Sequence, residues 1–405
     1  MLITTYNVCA NNWHKTRIII LLLLIFSVFA CQSPNANHNI YSHPLSKQNL
    51  FIDHAFPNYQ RVQVETKKEI FELDQDIQTL VEQELLTIPN EKKRATKLLR
   101  LIFKNKEQGI NYLSSANIGA SEAFHNNTAN CLSLTIMAYA LATKADLEMR
   151  FQEVSIPEFW VRNEQYSMLT GHVNLLILAP KNPQLEIFYG SKDLQIDFDP
   201  YIAKKQFPRH IINKNKVISM FYNNKAAQAI VDNKYDVAYA YLKSAITLLP
   251  GYSNSWGNLG LLYRLTNHLD IAEKTYQHAL SLNKNNLTTL SNYSILLKMN
   301  GEVQTYKAIQ DKIEKKRQNN PYYYAMLGDE AAYENDLLKA LQYYKKAIHL
   351  KRNIHEFYYG LAKVYYRLNE VANAKQALNK AIKLNELSDI DDQYIAKLNL
   401  IKLKG

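Results

Sequence analysis

Three residues in the first half of the chain have the side chains and the order expected for nucleophilic acyl transfer. Cys131 follows Asn130 at the start of an apolar helical segment, His172 lies in a strand-like run, and Asp197 lies near the end of another. A cysteine thiolate can attack a carbonyl carbon, a histidine can carry the proton, and a carboxylate can orient the imidazole ring. The sequence therefore predicts a site that forms a thioester from an amide or peptide.

The sequence leaves alternatives open at this site. Asp197 is favoured as the acid because its neighbours on both sides are apolar, but Asp199 follows closely and is the second candidate. The oxyanion would be bound by the backbone N–H of Cys131 and by a second donor, for which Asn130 and Asn127 are candidates. Cys131 can also be read as an inert core residue, because a thiol packs well on an apolar helix.

Cys131 is the one cysteine without another predicted role. Cys9 lies in a segment, residues 1–30, that resembles a bacterial lipoprotein signal peptide, and Cys31 follows the apolar end of that segment. The resemblance implies cleavage before Cys31, attachment of lipid to its thiol and amino group, and a flexible tether over residues 31–60. The mature chain would then form no internal disulfide, so its stability would come from packing.

Hydrophobic periodicity predicts the elements that would position the three residues. Apolar residues at helical spacing predict two amphipathic helices between residues 66 and 106, and a third over residues 131–144 after a polar loop. Strands are predicted from alternating and continuous apolar runs over residues 149–154, 172–178, 185–188 and 194–198. Helices followed by strands indicate an α+β domain, which we place at residues 61–215.

The chain order and the element types resemble the transglutaminase-like superfamily, whose fold is related to papain. The resemblance covers about residues 66–210 and rests on Ala129-Asn130-Cys131, Gly171-His172-Val173-Asn174 and Asp197-Phe198-Asp199-Pro200. It implies that Cys131 is the nucleophile, His172 the proton carrier and Asp197 the orienting acid. It also implies a peptide or protein carbonyl as substrate, with hydrolysis, deamidation or crosslinking as outcomes of one acyl-enzyme.

The second half of the chain repeats with a period of 34 residues. The segment from Ser253 has Trp256, Leu259, Gly260, Tyr263, Ala272, Tyr276 and Ala279 at the positions of a tetratricopeptide unit. The same register predicts five units, starting at residues 219, 253, 287, 321 and 355, with the third degenerate. We therefore predict an all-α solenoid over residues 216–388 and a C-terminal capping helix over residues 389–405.

Charge and composition restrict the partners. The formal net charge is +11, and the mature excess of Lys and Arg lies in the repeat half, which favours protein or peptide partners, including acidic ones. An exported lipoprotein without a nucleic-acid module is not expected to bind nucleic acid. No cluster of Cys and His stands at ligand spacing, so the sequence predicts no metal and no cofactor.

Two classes of function follow from these observations. In the first, the protein is an anchored cysteine acyl transferase, peptidase or amidase whose repeats recruit a substrate. In the second, the three residues are inactive and the repeats act as an envelope scaffold. Ser33, two residues after Cys31, resembles the sorting pattern for the outer membrane, so the resemblance implies an outer-membrane anchor facing the periplasm. The sequence predicts no oligomeric state.

Overall fold

The computed structural model describes most of the chain from residue 50 onward and a short N-terminal strand. The described residues are 2–5, 50–104, 111–112, 116–126, 128–163, 166–178, 193–198 and 207–385. They form an α+β region followed by an all-helical region, in the order that the sequence predicts. No papain-like core is assigned from this arrangement alone, because a small antiparallel sheet with flanking helices occurs in many folds.

Several helices precede the helix that carries the cysteine. They are α1 (Lys67–Phe71), α2 (Gln75–Val81), α3 (Glu91–Lys104) and α4 (Ala120–His125), and the cysteine lies on α5 (Cys131–Lys144). The first predicted amphipathic helix is divided into α1 and α2, because the Asp74 side chain accepts a hydrogen bond from the backbone N–H of Ile77 and starts a new helix. Helix α4 lies inside the segment predicted to be a loop, which corrects that prediction.

The described residues contain seven strands, which form two sheets. The larger sheet contains β1 (Leu2–Thr5), β4 (Met149–Asn163), β5 (Tyr166–Ile177), β6 (Leu194–Ile196) and β7 (Arg209–Ile212), while β2 (Asn111–Tyr112) and β3 (Thr128–Ala129) pair separately. Strand β5 is central, with β4 along one edge and both β1 and β6 along the other. All pairs in this sheet are antiparallel. Strands β4 and β5 are much longer than the sequence predicts, and β7 was not predicted.

Helix α5 packs against strand β5 and forms the core of the α+β region. Its buried face is wide, since eleven of its residues are buried, as expected for a helix that is apolar all round. The Thr135 hydroxyl lies 2.8 Å from the carbonyl oxygen of Cys131 and 3.2 Å from that of Val173, and so links the first turn of α5 to β5. This contact fixes the helix start relative to the strand that carries His172.

In the described residues that follow, ten helices form five antiparallel pairs. They are α6 (Lys214–Val231), α7 (Tyr235–Leu248), α8 (Ser253–Leu265), α9 (Leu269–Leu282), α10 (Leu287–Met299), α11 (Val303–Arg317), α12 (Pro321–Tyr333), α13 (Leu337–Leu350), α14 (His355–Arg367) and α15 (Val371–Leu384). The turn inside each pair has one residue with positive φ, and these residues are 34 positions apart: Asn233, Asn267, Gly301, Asn335 and Asn369. Asparagine and glycine adopt this left-handed conformation most readily, so the backbone repeats with the predicted period.

The two helices of each repeat unit meet at one position on the first helix and one on the second. The residues at these two positions change together from unit to unit. A Cβ atom added at Gly260 would lie 2.7 Å from the Tyr276 ring, so this close approach requires glycine. The degenerate third unit has Ser294 and Gln310 at these positions, joined by a hydrogen bond of 2.7 Å from Gln310 Nε2 to Ser294 Oγ. The third unit therefore replaces an apolar contact with a polar one and keeps the two helices paired.

The first helices of neighbouring units contact one another, as α6 does with α8, α8 with α10, and α12 with α14. We call the surface formed by these first helices the inner face. Strand β4 lies against α12, and β1 lies against α8 and α10. The hairpin of β4 and β5 therefore occupies part of the inner face.

An ion pair between a buried arginine and a partly exposed glutamate holds that hairpin in place. Arg317, 2% exposed, donates from Nε and Nη2 to the two carboxylate oxygens of Glu158 at 2.7 and 2.9 Å, and its guanidinium stacks 4.8 Å from the Trp160 ring. Farther along the hairpin, the Ser167 hydroxyl donates to the buried Glu330 at 3.1 Å. These contacts join the α+β region to the third and fourth repeat units.

The tether prediction needs a correction at its C-terminal end. Residues 50–60 were assigned to a flexible segment, but Leu50 and Phe56 are buried, and the Phe56 ring stacks 4.4 Å from the Tyr239 ring of α7. Asp53 accepts a hydrogen bond from Tyr239 and forms an ion pair with Lys243. Aromatic burial therefore attaches this segment to the first and second repeat units.

Other sequence predictions concern residues outside the described ranges. These are the lipidation site Cys31, most of the signal peptide, the start of the tether, the strand over residues 185–188 and the capping helix over residues 389–405. Strand β1 lies within the predicted signal peptide, so it belongs to the unprocessed chain. Among the described residues, no helix has both the length and the apolar character needed to span a membrane.

Candidate functional site

The start of helix α5 positions Cys131. The Asn130 side chain caps the helix, because its Oδ1 accepts a hydrogen bond of 2.8 Å from the backbone N–H of Ser133. Cys131 is therefore the first helical residue. Its thiol is nearly buried, with the residue 8% exposed, and Sγ lies 3.8 Å from the carbonyl oxygen of Gly171 on β5. The partial positive charge at a helix N-terminus favours an anion at this position.

His172 follows Gly171 on β5 and contacts the predicted acid. Its Nε2 lies 2.7 Å from Oδ1 of Asp197, just after β6, and the side chains of His172 and Asp197 are 4% and 2% exposed. With Nε2 bound to the carboxylate, Nδ1 is the ring nitrogen that remains for a second hydrogen bond. The structure therefore brings Cys131, His172 and Asp197 together from a helix and two neighbouring strands.

Asn174 is a fourth member of this group that the sequence reasoning missed. Its Nδ2 donates to Oδ2 of Asp197 at 2.9 Å, so both carboxylate oxygens are bound. Asn174 is two residues after His172 on β5, and side chains two apart lie on the same face of a strand. The signal in the sequence is an asparagine within the otherwise apolar run Val173–Ile177. The structure shows that this asparagine is fully buried.

The His172 imidazole carries a proton more readily than an isolated histidine. Burial disfavours its charge, but the hydrogen bond to Asp197 and the interaction with Cys131 outweigh burial and raise the pKa of His172 to about 10. The ring therefore stays protonated at neutral pH. An imidazolium between a thiol and a carboxylate is the arrangement that supports a thiolate nucleophile.

The oxyanion donors are only partly defined. The Cys131 backbone N–H is at the first helical position, where an α-helix offers it no internal acceptor, so it can bind an oxyanion. The Oδ1 atom of Asn130 is used as the helix cap, and its Nδ2 lies 3.4 Å from Oδ1 of Asn117. The other candidate donor, Asn127, and the alternative acid, Asp199, lie outside the described residues.

The chemistry of this group is that of a nucleophile with a proton carrier. Among the described residues, no group of three or more His, Cys, Asp or Glu side chains could hold a metal ion. The exposed His125 lies outside this group and pairs with Asp74 near the start of α2. Cys131 and His172 supply the thiol and the imidazole of the group.

Comparisons with known proteins identify the helical half. Residues 253–286 and 355–386 match the model of the tetratricopeptide repeat family. The C-terminal half contains a tetratricopeptide-repeat solenoid. This confirms the predicted repeat architecture, and repeats of this family indicate protein–protein interaction. No match was found among curated proteins.

Several solved structures resemble part of the chain. A thermophilic tetratricopeptide-repeat protein of Thermus thermophilus is 15% identical, with a TM-score of 0.32 over 46% of this chain and 99% of that one. PilF of Pseudomonas aeruginosa is 15% identical, with a TM-score of 0.29 over 46% and 91% of the two chains. YrrB, a repeat protein with an unusual peptide-binding site, is 16% identical, with a TM-score of 0.25 over 43% and 90%.

Proposed function

We propose that this protein is a cysteine-dependent acyl transferase or amide hydrolase that acts on peptides or proteins. The observation that carries the proposal is that Cys131 Sγ contacts the carbonyl oxygen of Gly171, the neighbour of His172, whose ring is hydrogen-bonded to Asp197 and has a raised pKa. Cys131, His172 and Asp197 come from three distant parts of the sequence. The helix start, the strand histidine and the strand-end acid also agree with the resemblance to the transglutaminase-like superfamily. The buried Asn174 holds the Asp197 carboxylate in position through its hydrogen bond. A residue that orients a catalytic histidine needs such a contact.

The proposed reaction proceeds through two acyl-transfer steps. The Cys131 thiolate adds to the substrate carbonyl carbon, and the oxygen that gains the electron pair is bound by the Cys131 N–H. Collapse of this intermediate breaks the C–N bond, and His172 gives its proton to the departing nitrogen. Water or a second amine then gives a proton to His172, attacks the thioester carbon and releases the thiolate.

The repeats would recruit the substrate and hold the site together. Their inner face contacts both strands β4 and β5 of the sheet, and β5 carries His172. A protein partner bound to the remaining surface of the repeats would therefore lie close to the site. The positive charge of this half favours a partner with acidic residues.

The pH dependence of iodoacetamide alkylation tests this proposal. If His172 remains protonated beside a thiolate, the rate at Cys131 should change little between about pH 6 and pH 8. In the His172→Gln variant the rate should rise roughly tenfold per pH unit in this range, as for an ordinary thiol. Peptide mapping by mass spectrometry separates Cys131 from Cys9 and Cys31.

The matched control is His125→Gln, which removes an exposed histidine that also pairs with an aspartate. Its pH profile should equal that of the wild type. A wild-type rate that rises only above about pH 8 would show that no thiolate is stabilised and would refute the proposal.

The second candidate function is a scaffold without catalysis. Two observations favour it: the repeat family is a protein-interaction module, and Cys131 is nearly buried, as inert cysteines often are. If this reading is right, Cys131→Ala should leave partner capture unchanged and no substrate should be turned over by the wild type. The alkylation profile above separates the two readings, because an inert core thiol shows no thiolate at neutral pH.

We also propose that the protein is a lipoprotein of the bacterial envelope, anchored through Cys31 to the outer membrane and facing the periplasm. The support is the basic and apolar sequence of residues 1–30 and the cysteine after it. Metabolic labelling with palmitate should mark the wild type and the Cys9→Ser variant but not Cys31→Ala. Equal labelling of the Cys31→Ala variant would contradict this assignment.

A further inference from the structure

Among the described residues, the strands that pair with one edge of strand β5 do not cover its whole length. Strand β4 pairs along the other edge, whereas on this edge β6 pairs with Leu175–Ile177 and β1 pairs with Tyr166–Leu169. No strand of the described residues pairs with residues 170–174 on this edge. His172 and the Gly171 carbonyl that contacts Cys131 lie in this gap.

Strand β1 shows how an extended chain lies on this edge. Leu2–Thr5 pairs antiparallel with β5, with Leu2 opposite Leu169 and Thr5 opposite Tyr166. The same four residues contact helices α8 and α10 on the inner face of the repeats. An extended segment can therefore lie between the sheet edge and the repeat solenoid, with contacts to both.

The direction of this strand leads to the thiol. Because the pairing is antiparallel, positions N-terminal to Leu2 continue along β5 toward Thr170 and Gly171. A strand advances about 3.3 Å per residue, so a position two residues before the one opposite Leu169 would lie opposite Gly171. The Gly171 carbonyl oxygen is 3.8 Å from Cys131 Sγ. A backbone carbonyl at that position would be next to the nucleophile.

We infer that the edge Tyr166–Leu169, together with α8 and α10, is a substrate site for an extended peptide. The peptide adds to the sheet by main-chain hydrogen bonds, runs antiparallel to β5, and presents its N-terminal side to Cys131. Its chemistry is that of an uncharged, strand-forming segment such as Leu-Ile-Thr-Thr, the sequence that β1 places there. In the processed chain the predicted loss of residues 1–30 would remove β1 from this edge.

This inference rests on the proposed function for its use of Cys131, but the binding site can be tested separately. The probe is the peptide Gly-Leu-Ile-Thr-Thr-Tyr amide with an iodoacetyl group on its N-terminus. A second probe has an acetylated N-terminus and the iodoacetyl group on a C-terminal lysine side chain. In each case the thiolate displaces iodide and forms a C–S bond, so the alkylation rate at Cys131 reports which peptide end lies near the thiol.

The protein for this test is the full chain with the double substitution Ile3→Pro and Thr4→Pro. Successive backbone N–H groups of a strand point to opposite sides, so one of these two must face β5, and proline removes it. The double variant therefore removes the competing strand β1 without touching the residues of the site. Unmodified iodoacetamide measures the reactivity of the thiol itself.

We expect the N-terminal probe to alkylate Cys131 at least about tenfold faster than the C-terminal probe, because binding places its electrophile beside the thiol. N-methylation of its Leu, Ile and both Thr residues should remove that advantage. Equal alkylation rates for the two probes would overturn the peptide site. A rate with iodoacetamide that rises only above about pH 8 would overturn the proposed function alone.

Hydrogen exchange gives a second readout that does not need a reactive thiol. The acetylated peptide without iodine should slow the exchange of backbone amides in Tyr166–Leu169 and leave those of β7 unchanged. Protection that is absent from Tyr166–Leu169, or equal in the N-methylated peptide, would contradict strand pairing at this edge.

Discussion

At the scale of single residues, the charge on His172 depends on Asp197. The carboxylate accepts hydrogen bonds from both His172 and Asn174 in a nearly water-free setting, where an uncompensated charge would be costly. Burial alone would lower the pKa of His172, and the contacts with Asp197 and Cys131 reverse that effect. Asp197 therefore positions the His172 ring and sets its charge state, as the proposed role of an orienting acid requires.

Replacing the acid should show this effect directly. Asp197→Asn keeps the shape of the side chain but removes its charge, so the pKa of His172 should fall from about 10 toward its ordinary value of 6.5. A titration of the ring nitrogens by NMR with labelled histidine measures the change. The control Asp74→Asn alters the exposed pair with His125 and should leave the pKa of His172 unchanged. An unaltered His172 in Asp197→Asn would contradict this role of the acid.

The same shift links folding to pH. A histidine whose folded pKa is raised stabilises the fold fully below its ordinary pKa of 6.5 and loses that contribution as pH rises through about 10. The free energy of unfolding of the wild type should therefore fall over this range by more than that of His172→Gln. Urea unfolding at several pH values measures it, and parallel pH dependence in both proteins would contradict the raised pKa.

At the scale of elements, each repeat unit depends on the fit between two helices. The pairs at the two covarying positions are Ala226 with Leu242, Gly260 with Tyr276, Ser294 with Gln310, Gly328 with Tyr344, and Ala362 with Leu378. A large ring on the second helix stands opposite a glycine, and a smaller side chain stands opposite alanine. Local volume therefore explains why one repeat architecture accepts several residue pairs.

Gly260→Ala should destabilise the repeats by about 1 to 3 kcal/mol, because the new methyl group overlaps the Tyr276 ring. The cost should be smaller in a Tyr276→Leu background, which recreates the Ala226–Leu242 pair of the first unit. Gly251→Ala is the control, since no atom lies within 4 Å of its added Cβ. Urea unfolding measures the free energy of unfolding of the two glycine variants, of Tyr276→Leu and of the double variant. An equal loss of this free energy in Gly260→Ala and Gly251→Ala would contradict the fit between glycine and ring.

The sequence predicts elements well where the signals are local. Helix α5 begins and ends as expected because Asn130 is a good cap and the apolar run is continuous. The repeats were predictable because their period extends over more than a hundred residues. The division of α1 from α2 was missed, because an acidic residue within an apolar period can be either a surface residue or, like Asp74, a helix cap.

At the scale of the whole molecule, the arrangement depends on contacts between distant residues that no local pattern predicts. The ion pair of Arg317 with Glu158 joins positions 159 apart in the sequence. A run of lysine and arginine such as the one that ends at Arg317 predicts a solvated helix face, yet the Arg317 side chain is buried against Trp160. For the same reason, the sequence could order Cys131, His172 and Asp197 but not give their distances.

Arg317→Ala should loosen the hairpin of β4 and β5 from the repeats. Losing one partner of a buried pair costs about 3 to 5 kcal/mol, and we expect about 3 because Glu158 is partly exposed. Hydrogen exchange at β4 and urea unfolding measure the effect. The control Lys363→Ala removes an exposed partner of Asp329 and should cost less than about 0.5 kcal/mol. Equal effects of the two substitutions would contradict the anchoring role of Arg317.

Mass spectrometry of the intact protein shows whether Cys131 is a nucleophile that His172 activates. After incubation with an envelope extract and an acid quench, the wild type should carry an acyl group on Cys131 that hydroxylamine removes. The His172→Gln and Cys131→Ser variants should carry no such thioester. An adduct on another residue, or an unmodified wild type with a pH-dependent Cys131 like that of a free thiol, would contradict the claim.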